Sequence, residues 1–217
     1  MAYSLLITAP QLQALVQTTS PVVVFDCSFD LMNPDTVDAT FAQEHIAGAQ
    51  QAHLDRHLSA HDAEHALNGG RHPLPRPEDL AAWLGACGVN AHTQVVVYDR
   101  NGCHYCGRLW WMLKWLGHDA VAILDGGLQA WKSNGGVVAQ GESSSAAACT
   151  FVIRPALRQW LRLDDVRTQL GQASQTLVDA RGAPRYRGEV EPLDPIAGHI
   201  PGALNRPFTD NFDAQGK

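Results

Sequence analysis

Basic residues are few and never grouped. Lys and Arg number 16 against 22 Asp and Glu, the formal net charge is −6 and the pI is near 5.9. With no Lys/Arg block anywhere, nucleic acid is excluded as the expected main partner. A small anion is not, because single arginines can hold one on an acidic protein. Apolar runs are short, and none approaches the length that spans a bilayer, so no membrane partner is expected. The opening MAYSLLITAPQLQ has no basic residue and only a brief apolar stretch, which excludes a signal peptide. Cysteine is scarce. The five residues Cys27, Cys87, Cys103, Cys106 and Cys149 are odd in number and irregular in spacing, so they do not form a disulfide framework. The expected location is the cytoplasm, with reduced thiols.

What is present is ample apolar material, 45% of the 217 residues, with only 18% charged. PVVVFDCSF and QVVVYD read as buried strands, as does VAILDGG. Helical spacing follows Pro10, and DATFAQEHIAGA reads as a short helix closed by Gly48. PEDLAAWLGACG has Pro77 near its first turn and Gly88 after its end. CGRLWWMLKWLGH and LQAWKSNGG supply two more helices, and residues 57–76 form a long loop rich in Gly and Pro. Strand and helix alternate throughout, which predicts an α/β fold with a parallel sheet covered on both faces. The low-complexity run GESSSAAA reads as part of a linker, after which come CTFVIRP, a helix-like LRLDDVRTQLG and TLVDAR.

The chain also repeats itself. VVVFDCS followed by HIAGA in the first half is matched by QTLVDAR followed by HIPGA in the second. Asp26 to His45 spans 19 positions and Asp179 to His199 spans 20. Two matches in the same order indicate a duplicated domain. The second copy has no counterpart of VVVYDRNGCHYCGRLWW before Lys217. The expected organisation is one complete domain over 1–140, a linker over 141–150 and the start of a second copy over 151–217.

The segment LVDARGAPRYRGEVEPLDPIAGHIPGALNRPFTDNF resembles the opening of the catalytic domain in tandem rhodanese-family sulfurtransferases, which act on thiosulfate or 3-mercaptopyruvate. D-A-R, R-Y-x-G, E-P and G-H-I-P-G-A-x-N carry the likeness. HIAGAQQAHLDRHLS, GRHPLPRPEDLAAWLGACGV, VVVYD, RLWWMLKWLGH and LDGGLQAW resemble the family's non-catalytic partner domain. The resemblance implies a rhodanese-like fold and sulfur transfer through a cysteine persulfide, from a small anionic sulfur donor to cyanide or a thiol. It implies no cofactor and no metal. A thiolate at a helix N-terminus is the nucleophile such chemistry needs. The family's cysteine follows a strand of the second domain and is expected beyond Lys217, so the 217-residue chain by itself is expected to be inactive on thiosulfate. The alternative is a catalytically inactive binding or regulatory module.

By the same resemblance, Asp99 takes the place where an active domain carries its cysteine, which marks a degenerate site. A carboxylate cannot hold sulfane sulfur, and its charge repels thiosulfate. Arg185, the first arginine of R-Y-x-G, is the expected contact for the donor's anionic group, since guanidinium binds an oxyanion through paired hydrogen bonds. An ion pair is the competing reading for it, and Arg187 is a weaker candidate. The second arginine of some mercaptopyruvate enzymes has no match in EPLDPIAGH. Asp179 and Arg181 read as a pair shaping a strand end. Cys103 and Cys106 form a CxxC beside His104, read as two incidental thiols, with Cys103 as a relocated sulfur carrier left open. His53, His57, His61 and His65 recur every four residues; a solvated polar segment and a metal-binding helix are the two readings. His45 and His199 are expected to be structural, bonding backbone near the turn that follows each.

Overall fold

The structure, a computed structural model, describes residues 2–62, 64–142 and 146–213. The chain separates into two compact units, Met1–Gln159 and Trp160–Lys217.

The first unit is organised by its two β-branched runs. β2 (Val22–Asp26) and β5 (Gln94–Tyr98) lie side by side and parallel, Val24 facing Val96 and Asp26 facing Tyr98. Around them stand β1 (Leu6–Ile7), β4 (Gln50–Gln51) and β6 (Val121–Leu124), in the order β1-β6-β5-β2-β4 with every pairing parallel. A strand covered on both faces must be apolar throughout, and Val95 to Tyr98 are wholly buried. Alternation then sorts the side chains. Val24, Val96 and Tyr98 join Leu12 of α1 (Ala9–Val16) and Leu128 and Trp131 of α5 (Gly127–Ser133) in one cluster. Phe25 points the other way and packs on Trp83 of α3 (Pro77–Ala86), 5.2 Å between ring centres. On this face α4 (Cys106–Trp115) buries Leu109, Met112 and Leu113. Each such side chain contributes roughly 1.5–3 kcal/mol through burial. No helix among the described residues is long and apolar enough to cross a membrane.

Two sequence expectations need correction here. The helix in DATFAQEHIAGA stops early: α2 covers Val37–Gln43 only. His45–Ile46 are β3, paired antiparallel with β7 (Val138–Ala139), and Gly48 belongs to the turn after that strand. The distant β7 partner, invisible in local periodicity, overrides the helical pattern. The stretch after residue 145 is not a loose tether either, although Ser143, Ser144 and Ser145 of the expected linker lie outside the described residues. Cys149 N–H donates to Gly85 C=O (2.8 Å), Arg154 N–H to Leu116 C=O (3.0 Å) and Leu157 N–H to Lys114 C=O (2.9 Å). Phe151 is buried beside the His118 ring. Residues 146–159 are therefore part of the first unit, a strap laid along α3 and α4.

This strap makes a prediction. A Cβ on Gly85 would stand 2.5 Å from the Cys149 carbonyl oxygen. Gly→Ala inside a helix normally stabilises by about 1 kcal/mol, but Gly85→Ala is expected to destabilise by about 1–2 kcal/mol because backbone must move. A lowered thermal midpoint checks it; a raised one would mean that the strap does not hold there.

The second unit has α6 (Leu163–Gln169), α7 (Ala183–Tyr186) and a parallel pair, β8 (Val178–Asp179) with β9 (Leu204–Asn205). A local arrangement of the first unit recurs in it. Asp26 pairs with Gln51 and Asp179 with Asn205. Ala49 N–H reaches Ile46 C=O as Ala203 N–H reaches Ile200 C=O, at 2.8 and 3.0 Å. Ser28 N–H caps Asp26 Oδ1 as Arg181 N–H caps Asp179 Oδ1, at 2.8 and 2.9 Å.

Candidate active-site loop

β5 runs out at Tyr98 and α4 begins at Cys106, the small buried residue that the helix start requires. Between them the backbone curls around one side chain. Asp99 is completely buried, and its carboxylate accepts four backbone N–H bonds. Asn101 and Cys103 donate to Oδ1, both at 2.9 Å, and Tyr105 and Cys106 donate to Oδ2 at 2.9 and 3.0 Å. Two of these donors stand at the positive end of α4. Gly102 and Cys103 have φ of +74° and +58°, which turns successive N–H groups inward as in an anion nest. The loop is thus built to hold a negative charge, and Asp99 supplies it from within. The Asp99 carbonyl is pressed against Gly127, where a Cβ would stand 2.3 Å away at a φ of +56°, so glycine is required at the start of α5.

The neighbouring Arg100 turns to the end of β2. It donates to Asp26 Oδ2 (3.2 Å), Ser28 Oγ (3.2 Å) and the Glu44 carbonyl (2.6 Å). Tyr98 OH takes the Ile46 N–H at 3.0 Å, and burial next to Asp26 pushes its phenol well up. These contacts tie β2, β3 and the loop together. A cavity of about 150 Å³ in front is lined by Ser28, Phe29, Asp30, Thr40, Arg100 and Asn101.

Cys103 and Cys106 each influence the protonation of the other's thiol. The neighbouring Cys106 lowers Cys103 from the ordinary thiol value, and Cys103 together with burial holds Cys106 well above it. Cys27, buried nearby, is likewise raised by burial and by Asp26.

The four evenly spaced histidines do not share a helix face, because residues 53–62 are turns and not helix. The solvated reading fits His61 and His65, whose side chains are 53% and 41% exposed, but not His53 and His57. His53 is buried and its Nδ1 accepts the N–H groups of Asp55 and Arg56, at 3.2 and 3.4 Å. His57 stacks on Trp83, its Nδ1 accepting the His53 N–H at 3.1 Å. His61 and His65 face the carboxylates of Asp55 and Asp62. The periodicity misled because turn backbone, not a helix, spaces the rings. Among the described residues no three His, Cys, Asp or Glu side chains are grouped to hold a metal ion.

In the second unit Arg181 clasps Asp179 (2.6 Å) and reaches Glu191 (3.4 Å) and the Gly198 carbonyl (2.6 Å), as the pair reading expects. Arg185 forms the ion pair that competed with substrate contact. It bonds Glu191 through Nε (3.1 Å) and Nη2 (2.6 Å), with Asp194 3.0 Å from the same Nη2. Arg187 pairs with Glu189 on the surface. Glu191, which sequence reasoning passed over, is thus the hinge of this cluster; its place in the E-P motif was the available signal. His45 and His199 are structural, but their acceptors lie upstream and not in the following turn. His45 Nδ1 meets Phe41 C=O (2.9 Å) and stacks on that ring; His199 Nδ1 meets Tyr186 C=O (2.6 Å) and does the same.

A five-stranded parallel sheet with a strand-to-helix anion loop defines an α/β domain of the rhodanese type. Residues 8–134 match the rhodanese-like domain model. The chain is 43% identical over 218 residues to a Pseudomonas aeruginosa protein named "Probable 3-mercaptopyruvate sulfurtransferase", spanning all of this chain and 75% of that protein. It is 36% identical over 184 residues to human 3-mercaptopyruvate sulfurtransferase, covering 81% of this chain and 58% of that one. The crystal structure of the 3-mercaptopyruvate sulfotransferase SseA from Escherichia coli superposes with a TM-score of 0.82 at 27% identity, over 99% of this chain and 79% of that one. The chain belongs to the rhodanese family.

Proposed function

We propose that the protein is a sulfurtransferase, moving a sulfane sulfur from 3-mercaptopyruvate or thiosulfate to cyanide or a thiol through a cysteine persulfide. The first unit serves as the non-catalytic partner domain. The second unit begins a second copy of the fold that carries donor recognition. The names of the relatives support the reaction class, and the recurring Asp26/Asp179 strand ends and His45/His199 turns support the duplication. Arg185 is the group proposed to meet the donor's carboxylate or sulfonate, oriented by Glu191.

The observation that carries the division of labour is the filled nest. A persulfide anion needs the N–H groups that Asp99 occupies, so none of the chemistry passes through the 99–106 loop. Cys103 is accordingly not the sulfur carrier, and the 217-residue chain alone should form no thiocyanate from thiosulfate and cyanide. Intact mass after thiosulfate treatment tests this. The wild-type chain should gain nothing, whereas Asp99→Cys should gain one sulfur atom that cyanide removes. A cyanide-labile gain on the wild type refutes the assignment, as does an inert Asp99→Cys that still unfolds cooperatively.

The filled nest also favours a second reading, a rhodanese-like binding or regulatory module. The reading frame downstream of Lys217 separates the two. A strand followed by C-x-x-G supports sulfur transfer; a stop codon supports the module.

A further inference from the structure

The cysteine pair in the loop is used by none of the chemistry above. Its placement is specific. The N–H groups of Cys103 and Cys106 bond the two oxygens of one buried carboxylate, at 2.9 and 3.0 Å. Two residues tethered to a single carboxylate are neighbours in one turn, and a disulfide joins residues whose Cα atoms are about 4.4–6.8 Å apart. Each thiol is the first influence on the protonation of the other. Cys103 alone among the described non-glycine residues adopts a left-handed backbone, with φ of +58°. The two sulfurs are also unequal: Cys103 is half-buried, whereas Cys106 is sealed inside. An accessible sulfur paired with an enclosed one is the arrangement of an attacking and a resolving thiol.

We propose that Cys103 and Cys106 form a reversible, peroxide-sensitive dithiol, a modification site in the loop independent of sulfur transfer. The Cys103 thiolate attacks one oxygen of hydrogen peroxide. The O–O bond breaks, the leaving hydroxide takes up the proton released by the thiol, and Cys103 becomes a sulfenic acid. The Cys106 sulfur then attacks the Cys103 sulfur. The S–O bond breaks, the hydroxyl leaves with the Cys106 proton as water, and a disulfide remains. One peroxide is reduced to two waters while two thiols lose two electrons. A small dithiol returns both thiols by exchange. The neighbouring Cys106 side chain favours the Cys103 thiolate, against burial and the opposing charges of Asp99 and Asp125.

The test uses the wild-type chain treated with one equivalent of hydrogen peroxide, digested under acid and mapped by mass spectrometry. The expected product is a peptide cross-linked between Cys103 and Cys106, lost on treatment with dithiothreitol. Cys106→Ser should instead leave a sulfenic acid at Cys103 that dimedone traps. Cys103→Ser should slow thiol loss at position 106 by about tenfold or more, since the enclosed sulfur would have to react first. A cross-link from Cys106 to the nearby Cys27, a stable sulfinic acid at Cys103 of the wild type, or five intact thiols would each overturn the proposal.

Discussion

Replacing Asp99 with alanine is expected to cost about 3–5 kcal/mol, a large share of the stability of a domain of this size. The side chain touches no substrate in the proposed scheme, yet it is the centre on which residues 101–106 are wound. Removing it leaves four inward N–H groups with no acceptor, and each buried orphan costs about 1–3 kcal/mol before relaxation and water entry. Asp99→Asn isolates the charge. It keeps one oxygen and turns an NH₂ group towards two N–H donors, so about half or more of the alanine effect should persist. Urea denaturation of both variants checks this. A midpoint unchanged in Asp99→Ala would show that the loop does not depend on its carboxylate.

Acid should weaken the first unit earlier than carboxylate titration would. His57 is held neutral down to about pH 4, chiefly by burial, with Arg56 and His53 adding repulsion and the Gln51 carbonyl and Asp38 opposing them weakly. A folded value below the unfolded 6.5 means that the unfolded chain binds the proton first. The stability from neutral His57 is therefore complete above about pH 6.5 and is lost as pH falls towards 4. At pH 5 the loss from this residue is about 2 kcal/mol. His53, His72 and His118 are lowered by burial as well and act in the same direction. Unfolding free energies at pH 7.5 and 5 should differ by about 2 kcal/mol less in His57→Gln than in wild type. Equal differences in the two proteins would remove His57 from the account.

Much of this architecture was legible because local chemistry carried it. VVVFD and VVVYD are apolar in every position because both faces of the sheet are covered, and Pro77 and Gly88 bracket α3 where their backbone preferences place them. The helix read in CGRLWWMLKWLGH begins at Cys106, as α4 does. The failures share a cause. His45–Ile46 became a strand through a partner more than ninety positions away, and the strap over Gly85 is written in backbone hydrogen bonds that a Ser/Ala-rich composition does not announce. In the loop, Asp99 was recognisable by position, but its four bonds depend on a fold of the turn that only the left-handed Cys103 reveals. Arg100 escaped notice because its acceptors, Asp26, Ser28 and Glu44, are drawn from a separate stretch of chain.

A ligand that is part of the chain binds intramolecularly, so its occupancy needs no supply from solution. A rhodanese loop with an open nest gains stability from any anion it binds, in proportion to the logarithm of that anion's concentration. The Asp99 loop has no such dependence: its order is uncoupled from the supply of thiosulfate, sulfite or any other sulfur oxyanion. Whatever surface the first unit presents to a partner therefore stays the same in sulfur-starved and sulfur-replete conditions.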